Sequence, residues 1–410
     1  MIKDLGNFQA PEEFGRWGKI ALGIGGVLSL IILGVAVISP ENREQALRSW
    51  LLGFLFWGGI GIGSLGVLML QYLTGGAWGI VVRRFVEAGA RTLFWVVPVL
   101  FLPLAIGIGG LYEWTHLPWT DPVMKHRGWF MTPESWWLRS FVYFAFFAAI
   151  TYLLNKWGGQ QEQSKDYEES AVYLGKATAF SGPAMVFYAL IVTFAVVDWT
   201  MMLDPHWFST IWGLLYVVGW ALSCFCFVVA ILSYLSDKAP MNRVLGNRHF
   251  HDIGKLMLAL VMVWTYFNFS QFLIIWSGNI PEETGWYITR SSDGWKTVGY
   301  FLLAFHFAFP FLILLTRDIK MRAKWLATLA IFILVMRSVD LFYMISPNPR
   351  IKTGGKSLGL IDSFSVMDIG AVLGVGGLWL AYYFYQLAQR PLVPTKDPFF
   401  EKAIEHGKGH

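Results

Sequence analysis

Ten hydrophobic stretches, at residues 18–39, 47–72, 91–112, 136–156, 178–204, 208–236, 251–277, 297–316, 323–346 and 366–389, fill most of this 410-residue chain. A bilayer core about 30 Å thick takes roughly 20 apolar residues to cross as a helix. Hydrocarbon offers a backbone no hydrogen-bonding partner, so segments of this kind close their bonds within themselves. The fold this predicts is all-α, a polytopic membrane protein of ten transmembrane helices with both termini on one side. A chain that is 55% hydrophobic, 17% aromatic and only 14% charged would be insoluble as a globular surface.

The net charge of +5 follows the loops, which argues against a nucleic-acid partner. Of the Lys and Arg residues, 21 flank the terminus side and 10 the other, with Arg337 inside a span. By the positive-inside rule this places both termini in the cytoplasm, with lipid around the spans. Asp4, Glu12 and Glu13 precede a first span longer than a signal h-region, so that span is expected to be retained. Trp78, Val81, Val82 and Phe85, with Arg83 and Arg84 opposite, suit a short helix in the interface or an ordinary basic loop. The tail from Arg390, with Pro391 and Pro394, reads as a cytoplasmic extension that docks or stays mobile.

The chemistry is narrowed by what the spans lack. Cys224 and Cys226 lie two apart on one helix, so they suit neither an iron–sulfur cluster nor a c-type haem. An intramembrane haem needs facing imidazoles, and of eight histidines only His306 lies deep in a span. No cofactor or metal is expected on this chain. Gly61-x-Gly63-x-x-Gly66 matches the dinucleotide fingerprint as a string, but no strand precedes it. Gly59 and Gly63, with Gly23, Gly107, Gly110 and Gly374, read instead as small residues that let helices approach.

Span 5 ends Val197-Asp198-Trp199-Thr200-Met201-Met202-Leu203-Asp204-Pro205 and span 9 ends Val339-Asp340-Leu341-Phe342-Tyr343-Met344-Ile345-Ser346-Pro347, each with an acid seven residues before a proline. Four helices separate them, an even number, so both segments run in one direction, as in a parallel repeat. The expected division is residues 1–46 (tail and first helix), 47–205 and 206–347 (two related four-helix bundles), and 348–410 (last helix and tail).

Within these bundles Asp198, Asp204, Gln271, Arg337 and Asp340 fall toward the far end, and His306 near the middle. Charges in a span are costly and face the bundle interior. Arg337 and Asp340 share a helix face and can pair, which suits either a structural lock or a site. Asp198 has no base one turn away and needs a partner from another span, as a structural acid or a proton-handling one. His306 is either a neutral histidine met by a neighbouring helix or a proton-relay step. His249, His251, Asp252 and Lys255 form a polar mouth to span 7, where Asp252 and Lys255 make an end-of-helix pair or begin a water-filled half channel.

The run His251 to Glu283, HDIGKLMLALVMVWTYFNFSQFLIIWSGNIPEE, together with Trp295, His306-Phe-Ala-Phe-Pro310 and Arg337-x-x-Asp340, closely resembles the ActF-type membrane subunits of alternative complex III, in the NrfD/PsrC-like superfamily. The similarity extends from about residue 45 to 390. It implies two four-helix bundles flanked by further helices, in a complex that oxidises quinol in a respiratory or photosynthetic chain. Partner subunits then carry haem c and iron–sulfur clusters, an NrfD-like sister subunit supplies the better supported quinol site, and the quinone pool is the substrate source. This chain would scaffold the assembly and contribute a proton path through Asp252, Lys255, His306, Arg337 and Asp340, with Asp198 as the matching acid. In an alternative reading it binds quinol itself, with Glu113, His116 or Asp204 as candidates. In a third it is a stand-alone transporter. The isolated chain is expected to show no haem or cluster absorption, and a stoichiometric haem or iron signal after purification would overturn this division of labour.

Overall fold

A computed structural model describes residues 8–408, so Asp4 lies outside the described residues. Among these residues ten helices are long and apolar enough to cross a membrane: span 1 (Glu12–Ile38), span 2 (Arg43–Thr74), span 3 (Ala77–Ile106), span 4 (Pro133–Glu162), span 5 (Tyr167–Leu203), span 6 (Trp212–Ser236), span 7 (Asn247–Gly278), span 8 (Trp295–Leu315), span 9 (Ala323–Ile345) and span 10 (Val366–Leu387). Among the described residues the only β pairing is an isolated bridge between Arg350 and Lys356. The chain is an all-α, polytopic membrane protein.

Local sequence chemistry starts several of these helices. Thr132 accepts from the Ser135 amide with Pro133 in the first turn of span 4, and Asp166 accepts from the Glu169 amide at the start of span 5. Ser365 and Asp368 form a reciprocal capping box at span 10.

Spans 2 and 6 form the inner pair. Their most apolar windows are 89% and 78% buried, against 22% for spans 1, 7 and 8, which turn most of their surface to lipid. Spans 3, 4 and 5 pack in succession beside span 2, and spans 7 and 9 pack on span 6 with span 8 against spans 7 and 9. Spans 5 and 9, which carry the two acids, each touch both inner helices, while spans 1 and 10 pair with one another and lean on span 2.

Small residues set these distances. A Cβ at Gly63 would stand 2.2 Å from the Trp220 carbonyl oxygen, and one at Gly25 would stand 2.6 Å from the Gly377 Cα. Gly63 of the fingerprint-like string thus serves helix crossing by allowing backbones to touch, while Gly61 and Gly66 make room for Thr92 Oγ1 and the Tyr188 hydroxyl. Gly23 does not share this role, since nothing lies within 4 Å of its Cβ position.

Span 3 departs from the sequence reading. The segment from Trp78 to Phe85, expected as a short interfacial helix or a basic loop, instead belongs to its first half, a helix Ala77–Arg91 buried from Gly79 to Arg91. The expectation treated Arg83 and Arg84 as solvent charges, whereas both are matched inside the protein. A 3-10 turn at Thr92–Phe94 then interrupts the span before helix resumes at Val96–Ile106. The tail docks: Phe400–Lys408 is helical and packs on spans 3 and 7. Gly63→Leu should abolish the folded, monodisperse species while Gly23→Leu leaves it at wild-type yield, as read by size-exclusion chromatography in detergent.

Candidate functional site

Asp198 finds its partner on span 4. Its carboxylate, fully buried, receives Arg139 Nε at 2.8 Å and Nη2 at 2.9 Å, a bidentate pair, and the Tyr143 hydroxyl at 2.7 Å. Arg139 is itself held by the Phe130 carbonyl at 2.8 Å, Ser135 Oγ at 3.0 Å and the Phe130 ring 3.6 Å below it. Around them Trp136 donates to the Asp198 carbonyl at 3.0 Å and Tyr112 to the Trp199 carbonyl at 3.0 Å, with Phe101 stacked on Trp136 and Phe144 on Trp199. Arg139 and Tyr143 escaped the sequence reading because they are distant in sequence and belong to a helix that runs the opposite way.

The acid of span 9 is built differently. Asp340 pairs with Arg337 one turn earlier on the same helix, and both are buried. Arg337 fits because span 6 has no side chain where it lies: a Cβ at Gly219 would stand 2.4 Å from its Cζ. Its Nε and Nη2 nonetheless have no hydrogen-bonding partner, and neither do both ring nitrogens of His306, the Tyr216 hydroxyl, Trp264 Nε1 or Gln271 Oε1. These groups come from spans 6 to 9. The Arg337 guanidinium lies 5.8 Å from the Tyr216 ring, and Trp264 meets His306 edge-on at 4.3 Å. Pro310 cannot donate to the His306 carbonyl, and the helix relaxes there into a π turn, Leu303–Ala308. Buried polar groups without protein partners are uncommon and mark places where water or a ligand is held.

Two arginines missed in the sequence hold the far end of span 9 beside this cluster. Arg290, from a short helix Pro281–Arg290, donates to the Tyr343 and Met344 carbonyls at 3.2 and 2.9 Å and to Asn348 Oδ1 at 3.1 Å, and lies 3.6 Å over the Trp286 ring. Burial among these neutral partners pushes its pKa down to about 9. Arg48 of span 2 donates to the Ile345 and Asn348 carbonyls, each at 3.3 Å, and to that of Pro349, while pairing with Glu44 at 3.1 Å. Cationic donors at a helix C-terminus satisfy its free carbonyls and oppose its dipole.

The other candidates lie apart. Asp252 pairs with Lys255 at 3.0 Å and with His406 of the docked tail at 2.8 Å, and His249 is buried against the Ala403 carbonyl at 2.9 Å. From Asp252 to the depth of Trp264 is on the order of 18 Å of helix. Span 7 buries Ile253, Gly254, Met257 and Val261 over that distance, so the structure does not join Asp252 and Lys255 to His306. At the far end His116 is exposed and meets only the Gly109 carbonyl, at 2.7 Å. Glu113 is half-buried, and desolvation raises its pKa. Burial raises that of Asp204 too, which lines a cavity of about 40 Å³ with Phe130, Met201 and Trp207. Sites for small organic ligands run to roughly 300 Å³ or more, so this one has no room for a quinone ring. A larger groove of about 680 Å³ opens between spans 3 and 4, lined by Phe101, Leu102, Trp137, Phe141 and Phe144, with Ser140 its one hydroxyl.

Among the described residues no three His, Cys, Asp or Glu side chains gather as a metal site. The chain matches no known family model and no curated protein. Asp198→Asn should cost about 3–5 kcal/mol by leaving Arg139 without its counter-charge, read as a lowered apparent midpoint in detergent. The double change Asp198→Leu, Arg139→Met should recover much of the loss.

Proposed function

We propose that this chain is an integral subunit of an alternative complex III in a bacterial inner membrane, with cytoplasmic termini, that scaffolds a quinol-oxidising assembly and carries protons through its second bundle. Haem c and iron–sulfur clusters would then belong to partner subunits, and quinol oxidation to an NrfD-like sister subunit. The resemblance of residues 251–283, with the His306 and Arg337 segments, supports the assignment to that complex. The observation that carries the mechanism is the buried Arg337–Asp340 pair on span 9, with Tyr216 beside Arg337 and Trp264 against His306, where Arg337, His306, Tyr216 and Trp264 keep polar atoms without hydrogen-bonding partners.

A proton path needs groups that exchange partners. Asp340 has one salt-bridge partner, and Arg337 keeps two nitrogens free for water or a second acceptor. Asp198, with three hydrogen bonds from two side chains, is a structural acid in this reading. The path is thereby narrowed to the Asp340 cluster, and the separated Asp252 and Lys255 pair serves the docking of the tail.

Direct quinol binding by this chain is favoured by one feature, the groove between spans 3 and 4, which could accept an isoprenoid tail but offers only Ser140 to hold a quinone ring. A photoreactive quinone analogue that labels Phe141 or Phe144 in the assembled complex would support that second reading.

In sealed vesicles containing the assembled complex, Asp340→Asn should abolish proton translocation while quinol oxidation continues. Asp198→Asn complexes that assemble should still translocate. An unchanged proton-to-electron ratio in a normally assembled Asp340→Asn complex would overturn the proposal.

A further inference from the structure

The first bundle carries its own group of unpaired polar atoms, at the end opposite Asp198. Tyr72 on span 2, Arg84 and Glu87 on span 3, and Thr151 and Asn155 on span 4 are each at most 5% exposed. Tyr72 Oη, Arg84 Nε, Glu87 Oε1, Thr151 Oγ1 and Asn155 Oδ1 have no hydrogen-bonding partner.

Two of these atoms, Glu87 Oε1 and Tyr72 Oη, meet at Gly158 of span 4. Thr151, Asn155 and Gly158 recur three and four residues apart, on one face of span 4. A Cβ at Gly158 would stand 2.9 Å from Glu87 Oε1 and 3.5 Å from Tyr72 Oη, so this face meets the carboxylate and the phenol together. Glu87 Oε2 is occupied by Arg84 at 2.7 Å and Arg390 at 3.1 Å, which leaves Oε1 to the gap. Tyr72 also borders a surface cavity of about 230 Å³, lined by Gln71, Thr74, Arg83 and Thr178.

The chemistry of the set selects its ligand. Tyr72 and Thr151 donate or accept, Arg84 Nε only donates, and Glu87 Oε1 and Asn155 Oδ1 only accept. A metal cation would meet Arg84 and Arg390 beside the carboxylate, and an anion would meet Glu87 Oε1 and Asn155 Oδ1. Water both donates and accepts, and a buried molecule takes about two to four polar neighbours.

We infer that this end of the first bundle is an internal hydration site, where on the order of two water molecules bridge Glu87, Tyr72, Asn155 and Thr151 and exchange through the cavity beside Tyr72. The site places a water-contacted carboxylate inside spans 2 to 4 at the terminus side. It stands whether or not protons move through the second bundle.

Radiolytic hydroxyl labelling of the full chain in lipid nanodiscs, read residue by residue by mass spectrometry, tests this, because radicals born from bound water oxidise side chains that bulk solvent does not reach. Tyr188 is the internal control: it is 2% exposed, and its hydroxyl donates to the Ile62 carbonyl at 2.9 Å. Tyr72 should be labelled several-fold more than Tyr188. Thr151→Val with Asn155→Leu should bring Tyr72 down to the Tyr188 level with helical content unchanged. Gly158→Ala, whose methyl group would intrude on the gap, should do the same if the double variant fails to fold. Equal labelling of Tyr72 and Tyr188 in the wild-type chain would overturn the inference. So would Tyr72 labelling that a folded variant leaves unchanged, since the radicals would then come from the surface cavity alone.

Discussion

A charge inside a hydrocarbon-embedded bundle must find its partner within the protein, and that constraint organises this structure more than any apolar contact. The apolar faces of the ten helices are as content against lipid as against each other, so they do not by themselves choose neighbours. Matched charges do. Arg139 on span 4 ties span 5 through Asp198, Arg84 ties span 3 to span 4 through Glu162 at 2.5 Å, and Arg83 ties span 3 to the tail through Asp397 at 2.7 Å. Glycine then allows the approach that charge pairing demands, as at Gly219, where Arg337 occupies the place of a side chain.

The tail is part of this order. Arg390 reaches Glu87 and the Asn155 carbonyl, Thr395 bonds Glu162, and the Lys396 carbonyl accepts from Ser170. Buried pairs of this kind are costly to break by removing one partner. The tail therefore closes the terminus-side end of the first bundle before its last helix reaches His249 and Asp252 on span 7.

The surroundings of Asp198 and of Asp340 differ in how completely their polar groups are matched. At the far end of the first bundle, both oxygens of the Asp198 carboxylate have donors, and the Trp136 indole and Tyr112 phenol are bonded as well. In the second, His306, Arg337, Tyr216, Trp264 and Gln271 retain free donors or acceptors in a buried space. A saturated network is rigid, whereas an unsaturated one can change partners. The proposed proton function is assigned to the second bundle for that reason.

The all-α class, the number of spans and the pairing of Arg337 with Asp340 were legible in the sequence, because helix period and span length are local properties of consecutive residues. The need of Asp198 for a partner was legible too, but Arg139 was not, since 59 residues and a reversal of direction separate them. The sequence reading assigned Arg83 and Arg84 to an interfacial helix or a basic loop, and only the packing of span 3 against span 4 and the tail shows them buried and matched, with Glu87 among their partners. Likewise the sequence placed Asp252, Lys255 and His306 along one bundle, while the apolar stretch of span 7 between them appears only when its inward face is fixed. Sequence determines which segments cross and which residues are charged. Tertiary structure decides which charges meet, because that depends on the rotation and depth of each helix, which long-range pairing sets.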